Sequence, residues 1–216
     1  MDIYFNNKYD KILSLGANCS VKFFIKRCLN PPYGETELFD YIGSSMRQIN
    51  ELILNDFEDL TTAKYFKSLI IIRSQSPIIT NTKYHMRFLH DLKKPEDASS
   101  PVFKDKIQRR ILRLKSYIVN SKDILFIRQQ ESNINRIPYI LNLRSELEEL
   151  RDFIDIIKMK YGCIRLTVIY INLEYDGWNK EHDIFSIKSP CLYNDLKTIH
   201  IHMQSLFEEK QVMEFI

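Results

Sequence analysis

Short unbroken apolar runs alternate along the chain with longer stretches in which apolar residues recur every three or four positions. The runs are KILSL at residues 11–15, DILFI at 123–127 and RLTVIYIN at 165–172, each bounded by polar residues. Runs of this kind suit strands covered on both faces. TIHIHM at 198–203 alternates strictly, with His200 and His202 on one side and Ile199, Ile201 and Met203 on the other. YHMRFL at 84–89 is a fifth and weaker strand signal.

Between the runs the period changes to that of a helix. Residues 20–28 place Val21, Phe24, Ile25 and Cys28 on one face, and residues 44–54 repeat Met46, Ile49, Leu52 and Ile53. Residues 102–119 carry Phe103, Ile107, Ile111, Leu112, Leu114 and Ile118, with Lys and Arg on the other side. Residues 144–161 predict a fourth helix. Ser145 caps it, Glu146, Glu148 and Glu149 favour its positive end, and Gly162 stops it. Strands alternating with helices predict an α/β fold. The expectation is a single three-layer domain over residues 1–216, with a mostly parallel central sheet and helices on both faces. KKPEDASSP at residues 93–101 reads as a surface loop, and residues 172–190 as a second long connection.

Composition narrows the function classes. A chain of 216 residues with 44% hydrophobic residues supports one sizeable core. The formal net charge is +3, from 31 basic and 28 acidic residues, too small an excess for a dedicated nucleic-acid binder. With 5 glycines and no Walker or dinucleotide-binding motif, glycine-rich phosphate loops are excluded, and no cofactor is expected. Cys19, Cys28, Cys163 and Cys191 are far apart and lack zinc-ribbon spacing. The N-terminal residues carry no hydrophobic signal core, and no apolar stretch approaches the roughly 20 residues of a membrane span. A soluble cytoplasmic protein with reduced thiols is expected, acting on a peptide or small molecule and binding neither nucleic acid nor membrane.

The chemistry gathers where the first strand ends. In an open parallel sheet, ligands bind beyond the C-terminal strand ends. Gly16 permits a tight turn there. Asn18, Cys19 and Ser20 follow at a helix N-terminus, where free N–H groups and the helix dipole stabilise negative charge. The same forces favour a thiolate and can serve an oxyanion. Against this stands the ordinary reading of a buried thiol beside an N-cap. A base is needed, and His90 in FLHDL follows a strand signal and adjoins Asp91. His200 and His202 have a spacing that can ligate a metal, but a half-exposed sheet face is the better reading, and no metal is expected. His182 reads as a surface residue. Asp40, between Phe39 and Tyr41, either orients a histidine or accepts a backbone N–H as a cap. Arg109, Arg110 and Arg113 read as the solvated side of a helix. Arg128 lies just past a strand end, on the ligand side of the sheet, and is a candidate for binding an anion; Arg87 and Arg136 are further cations.

SLGANCSV (14–21), LFDYI (38–42), FLHDL (88–92), KIQRRILRL (106–114), ILFIR (124–128) and the C-terminal DGWNKEHDIF together resemble a family of papain-like cysteine peptidases with bacterial and large-DNA-virus members. The family has a tryptophan where this chain has Tyr41. The resemblance implies Cys19 as nucleophile, His90 as its histidine and Asp40 as the carboxylate. It also implies a cysteine that opens a helix and a histidine on an antiparallel sheet. The strand pattern implies instead a nucleophile at the end of the first parallel strand, a layout similar to SGNH-type esterases. Three functions stand open: a cysteine hydrolase or acyl transferase, a phosphate- or nucleotide-sugar-binding transferase-like domain, and a catalytically inert interaction protein.

Overall fold

The structure, a computed structural model, describes residues 9–17, 19–28, 35–69, 78–88, 90–130, 144–162, 165–172, 177–179 and 181–188. Its strands are β1 (Lys11–Ser14), β2 (Ile42–Gly43), β3 (Phe66–Leu69), β4 (Ile78–Asn81), β5 (Met86–Phe88), β6 (Asp123–Gln129), β7 (Arg165–Asn172), β8 (Gly177–Asn179) and β9 (Ile184–Lys188). Its α-helices are α1 (Ser20–Cys28), α2 (Met46–Leu54), α3 (Pro101–Asn120) and α4 (Glu146–Tyr161).

The fold is mixed α/β around a five-stranded sheet of order β1-β6-β7-β9-β8. Its first four strands run parallel, and β8 closes the edge antiparallel to β9. The apolar runs at 11–15, 123–127 and 165–172 all enter this sheet. Alternate residues of a strand lie on opposite faces. On β6, Ile124 and Phe126 join one large cluster with residues of α2, α3 and α4, whereas Leu125 and Ile127 join a separate cluster with Val21, Phe24 and Ile25 of α1.

A second sheet, entirely antiparallel and of order β2-β5-β4-β3, was not expected from the sequence. The weak strand signal at 84–89 is real, but β5 belongs here and not to the parallel sheet. Phe66, Phe88 and Phe103 form a ring cluster, with centroids 5.2–5.7 Å apart, that fastens this sheet to α3. The reading of residues 172–190 as a connection is also corrected, because β8 and β9 occupy part of it. The strand signal at 198–203, with His200 and His202, lies outside the described residues, as do Cys163, Cys191 and Arg136.

The four predicted helices are present, and the fourth has the caps expected of it. Ser45 forms a capping box with Gln48, and Ser145 forms one with Glu148, whose carboxylate accepts the Ser145 N–H at 2.7 Å. Gly162 ends α4 at φ +92°. No described helix is long and apolar enough to cross a membrane.

Candidate active site

β1 ends against β6, where the Leu15 N–H donates to Ile127 O at 2.9 Å. The chain then leaves the sheet through two left-handed residues, Gly16 at φ +73° and Ala17 at φ +74°. The Gly16 N–H donates to Ser14 Oγ at 3.1 Å, which tightens the turn. Gly16 also admits a neighbouring backbone, since a Cβ there would lie 2.9 Å from Ile42 O and 3.5 Å from Phe39 O. Gly16→Ala therefore combines a left-handed penalty with a clash against backbone that cannot swing aside. The expected loss is about 1–3 kcal/mol, read from the urea midpoint. An unchanged midpoint would mean that the 39–42 segment does not press on this turn.

Cys19 comes next, directly before α1. Its carbonyl accepts the Phe23 N–H at 3.2 Å, the first bond of the helix, so Cys19 is the N-cap. An N-cap side chain stands beside the N–H groups of the second and third helical residues, here Val21 and Lys22. The Cys19 thiol is half-buried and forms no disulfide with a described residue. Asn18 lies outside the described residues, and only the backbone of Ser20 is described.

The segment that presses on Gly16 carries Asp40 and Tyr41. Of the two readings of Asp40, the geometry shows the cap: Asp40 Oδ2 accepts the Glu37 N–H at 2.7 Å. The same oxygen lies 2.7 Å from Lys22 Nζ, and Asp40 is only 1% exposed. Burial is the main influence on its carboxyl and pushes it above the usual carboxylate range. Lys22 and the Glu37 N–H pull the other way. Lys22 was not singled out from the sequence. The signal lay in its place: a cation in the first turn opposes the helix dipole and so calls for a carboxylate partner.

Tyr41 is half-buried. Its ring meets that of His90 in a T-shaped contact, with centroids 5.0 Å apart and planes at 77°. Burial, followed by the negative charge of Asp40, pushes its phenol above the usual tyrosine range, so the hydroxyl stays a donor.

His90 is exposed and sits just past β5 of the antiparallel sheet. Asp91 does not face the imidazole as an orienting acid. It takes a bidentate contact from Arg110, at 2.7 and 3.2 Å, and a third contact from Lys106 Nζ at 3.2 Å. The Asp91–Arg110 pair thus fastens the backbone beside His90 to α3.

Arg128 is not open to a ligand. Its side chain is 0% exposed, and its guanidinium donates to Glu146 Oε1 at 2.7 Å, Leu15 O at 2.7 Å and Ser44 O at 2.8 Å. It clamps the ends of β1 and β2 to the first residue of α4. Arg110 is likewise buried, and Arg113 is half-buried and pairs with Glu35 and Glu37. Arg109 is exposed, as expected, and Arg87 is buried. His182 is half-buried rather than superficial, with Nε2 3.5 Å from Asp155 and Nδ1 3.8 Å from Glu181. Among the described residues no group of three or more His, Cys, Asp or Glu is arranged to hold a metal.

A family model described as "Putative papain-like cysteine peptidase (DUF1796)" matches residues 10–174. No curated protein and no solved structure matches the chain.

Proposed function

Because the chain belongs to this family, we propose that it is a cysteine-nucleophile hydrolase or acyl transferase working through Cys19 and His90. The observation that carries this reading is the seat of Cys19. It caps α1 at the end of a parallel strand, and the turn pressed against that strand end carries Tyr41, whose ring meets that of His90. Cys19 opens a helix and His90 follows an antiparallel strand, as the family resemblance implies. The three-layer arrangement, with α1 on one face of the parallel sheet and α2–α4 on the other, belongs to the same reading. So does a reducing, cytoplasmic setting that keeps the thiol free.

In this mechanism the Cys19 sulfur attacks an acyl carbonyl of a peptide or small-molecule substrate, and His90 takes the thiol proton. The N–H groups at the start of α1 stabilise the oxyanion. His90 then gives its proton to the departing amine or alcohol, which leaves a thioester on Cys19. Water or an acceptor nucleophile, deprotonated by His90, attacks that thioester and returns the thiol. Asp40 acts through structure, holding the Tyr41 turn to α1. Arg128 does the same for the strand ends. The arginines that a phosphate ligand would need, Arg110, Arg113 and Arg128, are engaged by protein acceptors.

Iodoacetamide under native conditions tests the reading. Cys19 is expected to be alkylated well ahead of Cys28, Cys163 and Cys191, and His90→Ala is expected to slow it by on the order of 100-fold. Equal labelling of all four cysteines, or labelling only after unfolding, would sink the proposal.

A further inference from the structure

The ring of Tyr41 is the feature of the site that neither the nucleophile nor the base explains. Its neighbours fix it from three sides. Asp40, the preceding residue, is tied to Lys22 Nζ at 2.7 Å, and Lys22 lies three residues beyond Cys19 on α1. Ile42, the following residue, brings its carbonyl within 2.9 Å of the Cβ position at Gly16, three residues before Cys19. Ile42 is also paired with Phe88 of β5, so the turn is joined to the strand that delivers His90. Tyr41 is therefore held to both sides of the cysteine and to the histidine's own strand.

His90, by contrast, is held loosely as a side chain. It is exposed, and among the described residues its ring contact is with Tyr41, while the carboxylate next in sequence is engaged by Arg110 and Lys106. An exposed imidazole without an orienting acid samples its rotamers freely unless something packs against it. A T-shaped partner 5.0 Å away restricts the ring plane and its swing, with the favourable edge-to-face geometry of an aromatic pair.

We propose that Tyr41 is a positioning residue of this site: its ring takes the place of an orienting carboxylate and holds the His90 imidazole toward Cys19. The proposal rests on the reading of Cys19 and His90 as nucleophile and base. It requires an aromatic ring at position 41 and does not require the hydroxyl.

The test is the rate of Cys19 alkylation by iodoacetamide, followed by peptide mass spectrometry between pH 5 and 9 in the full chain. Tyr41→Leu, which preserves much of the volume, is expected to slow Cys19 about three- to tenfold, the scale of one aromatic pair. Tyr41→Phe and Tyr41→Trp are expected to stay within about twofold of the parent, because each restores a ring. Tyr41→Leu in the His90→Ala background is expected to cause no further loss, since the ring acts only through the imidazole. Slowing by Tyr41→Phe equal to that by Tyr41→Leu would overturn the proposal in favour of the hydroxyl. A parent-like rate in Tyr41→Leu would overturn it outright while leaving the Cys19–His90 reading intact. A parent-like rate in His90→Ala would instead remove the reading beneath it. Should Tyr41→Leu fail to fold, Tyr41→Met against Tyr41→Phe gives the same comparison.

Discussion

Replacing Arg128 with methionine is expected to cost about 3–5 kcal/mol of stability, the scale for removing one partner of a buried ion pair. The guanidinium joins three segments that are distant in sequence: Leu15 at the end of β1, Ser44 just past β2 and Glu146 at the start of α4. Without it, two carbonyls of the loop region and the Glu146 carboxylate, its side chain 11% exposed, lose this donor. Arg128→Lys is expected to recover only part of the loss. A single ammonium on a flexible stem cannot reach three acceptors in different directions, whereas the planar fork does. Urea unfolding of the three proteins measures this, with the change read as a shift of midpoint at constant slope. A lysine variant as stable as the parent would show that charge alone is needed and would dissolve the clamp. The consequence for the site is direct, because Leu15 is the last residue before the Gly16–Ala17 turn that delivers Cys19.

Arg128 also shows where sequence reasoning stops. Its position beyond an apolar run marks it as lying at the ligand end of the sheet, and it does lie there. Whether its charge faces a ligand or the protein depends on acceptors at residues 15, 44 and 146, and no local pattern reveals those. The same divide runs through the fold. KILSL, DILFI and RLTVIYIN are apolar throughout and announce strands buried on both faces. β3, β4 and β8 are three or four residues long, mix Lys, Ser, Thr and Asn with apolar positions, and give no period long enough to read. β9 is apolar but follows the charged stretch EHD, which disguised it as loop. Helices fared better because their period is long enough to read and, at 144–162, their caps are local: Ser145 and Gly162 each act within four residues. In the site, Cys19 was legible from a strand, a glycine and a helix in succession. The role of Asp91 was not legible, because adjacency in sequence to His90 says nothing about which way a carboxylate turns. Its partner Arg110 sits 19 residues further along the chain.

Lys22→Met is expected to cost about 3 kcal/mol at pH 8, and the cost is expected to shrink as the pH falls toward 5. The Lys22–Asp40 pair is buried on both sides, and burial of the Asp40 carboxyl outweighs the attraction of its lysine, which is why its pKa stands above the usual range. Such a pair adds little net stability, yet removing one partner leaves a charge without compensation. In Lys22→Met the carboxyl is pushed further up. A carboxyl raised in the folded state contributes stability that is present below its unfolded pKa and is lost as the pH rises through the folded value. The variant therefore weakens with rising pH and recovers when Asp40 can take up a proton. Lys22→Met combined with Asp40→Asn is expected to return to within about 1 kcal/mol of the parent and to lose the pH dependence that Asp40 confers, because the neutral amide still accepts the Glu37 N–H and neither position leaves an unpaired charge. Urea midpoints at pH 5, 6.5 and 8 for the parent, the single and the double variant decide it. A Lys22→Met deficit that is flat across this range would mean that Asp40 is not held as a buried carboxylate by its lysine. The double variant separates charge from geometry in the site as well. If it alkylates Cys19 at the parent rate, the 39–42 turn is held by packing against Gly16, and the ion pair is needed only to keep each of its own members from standing alone.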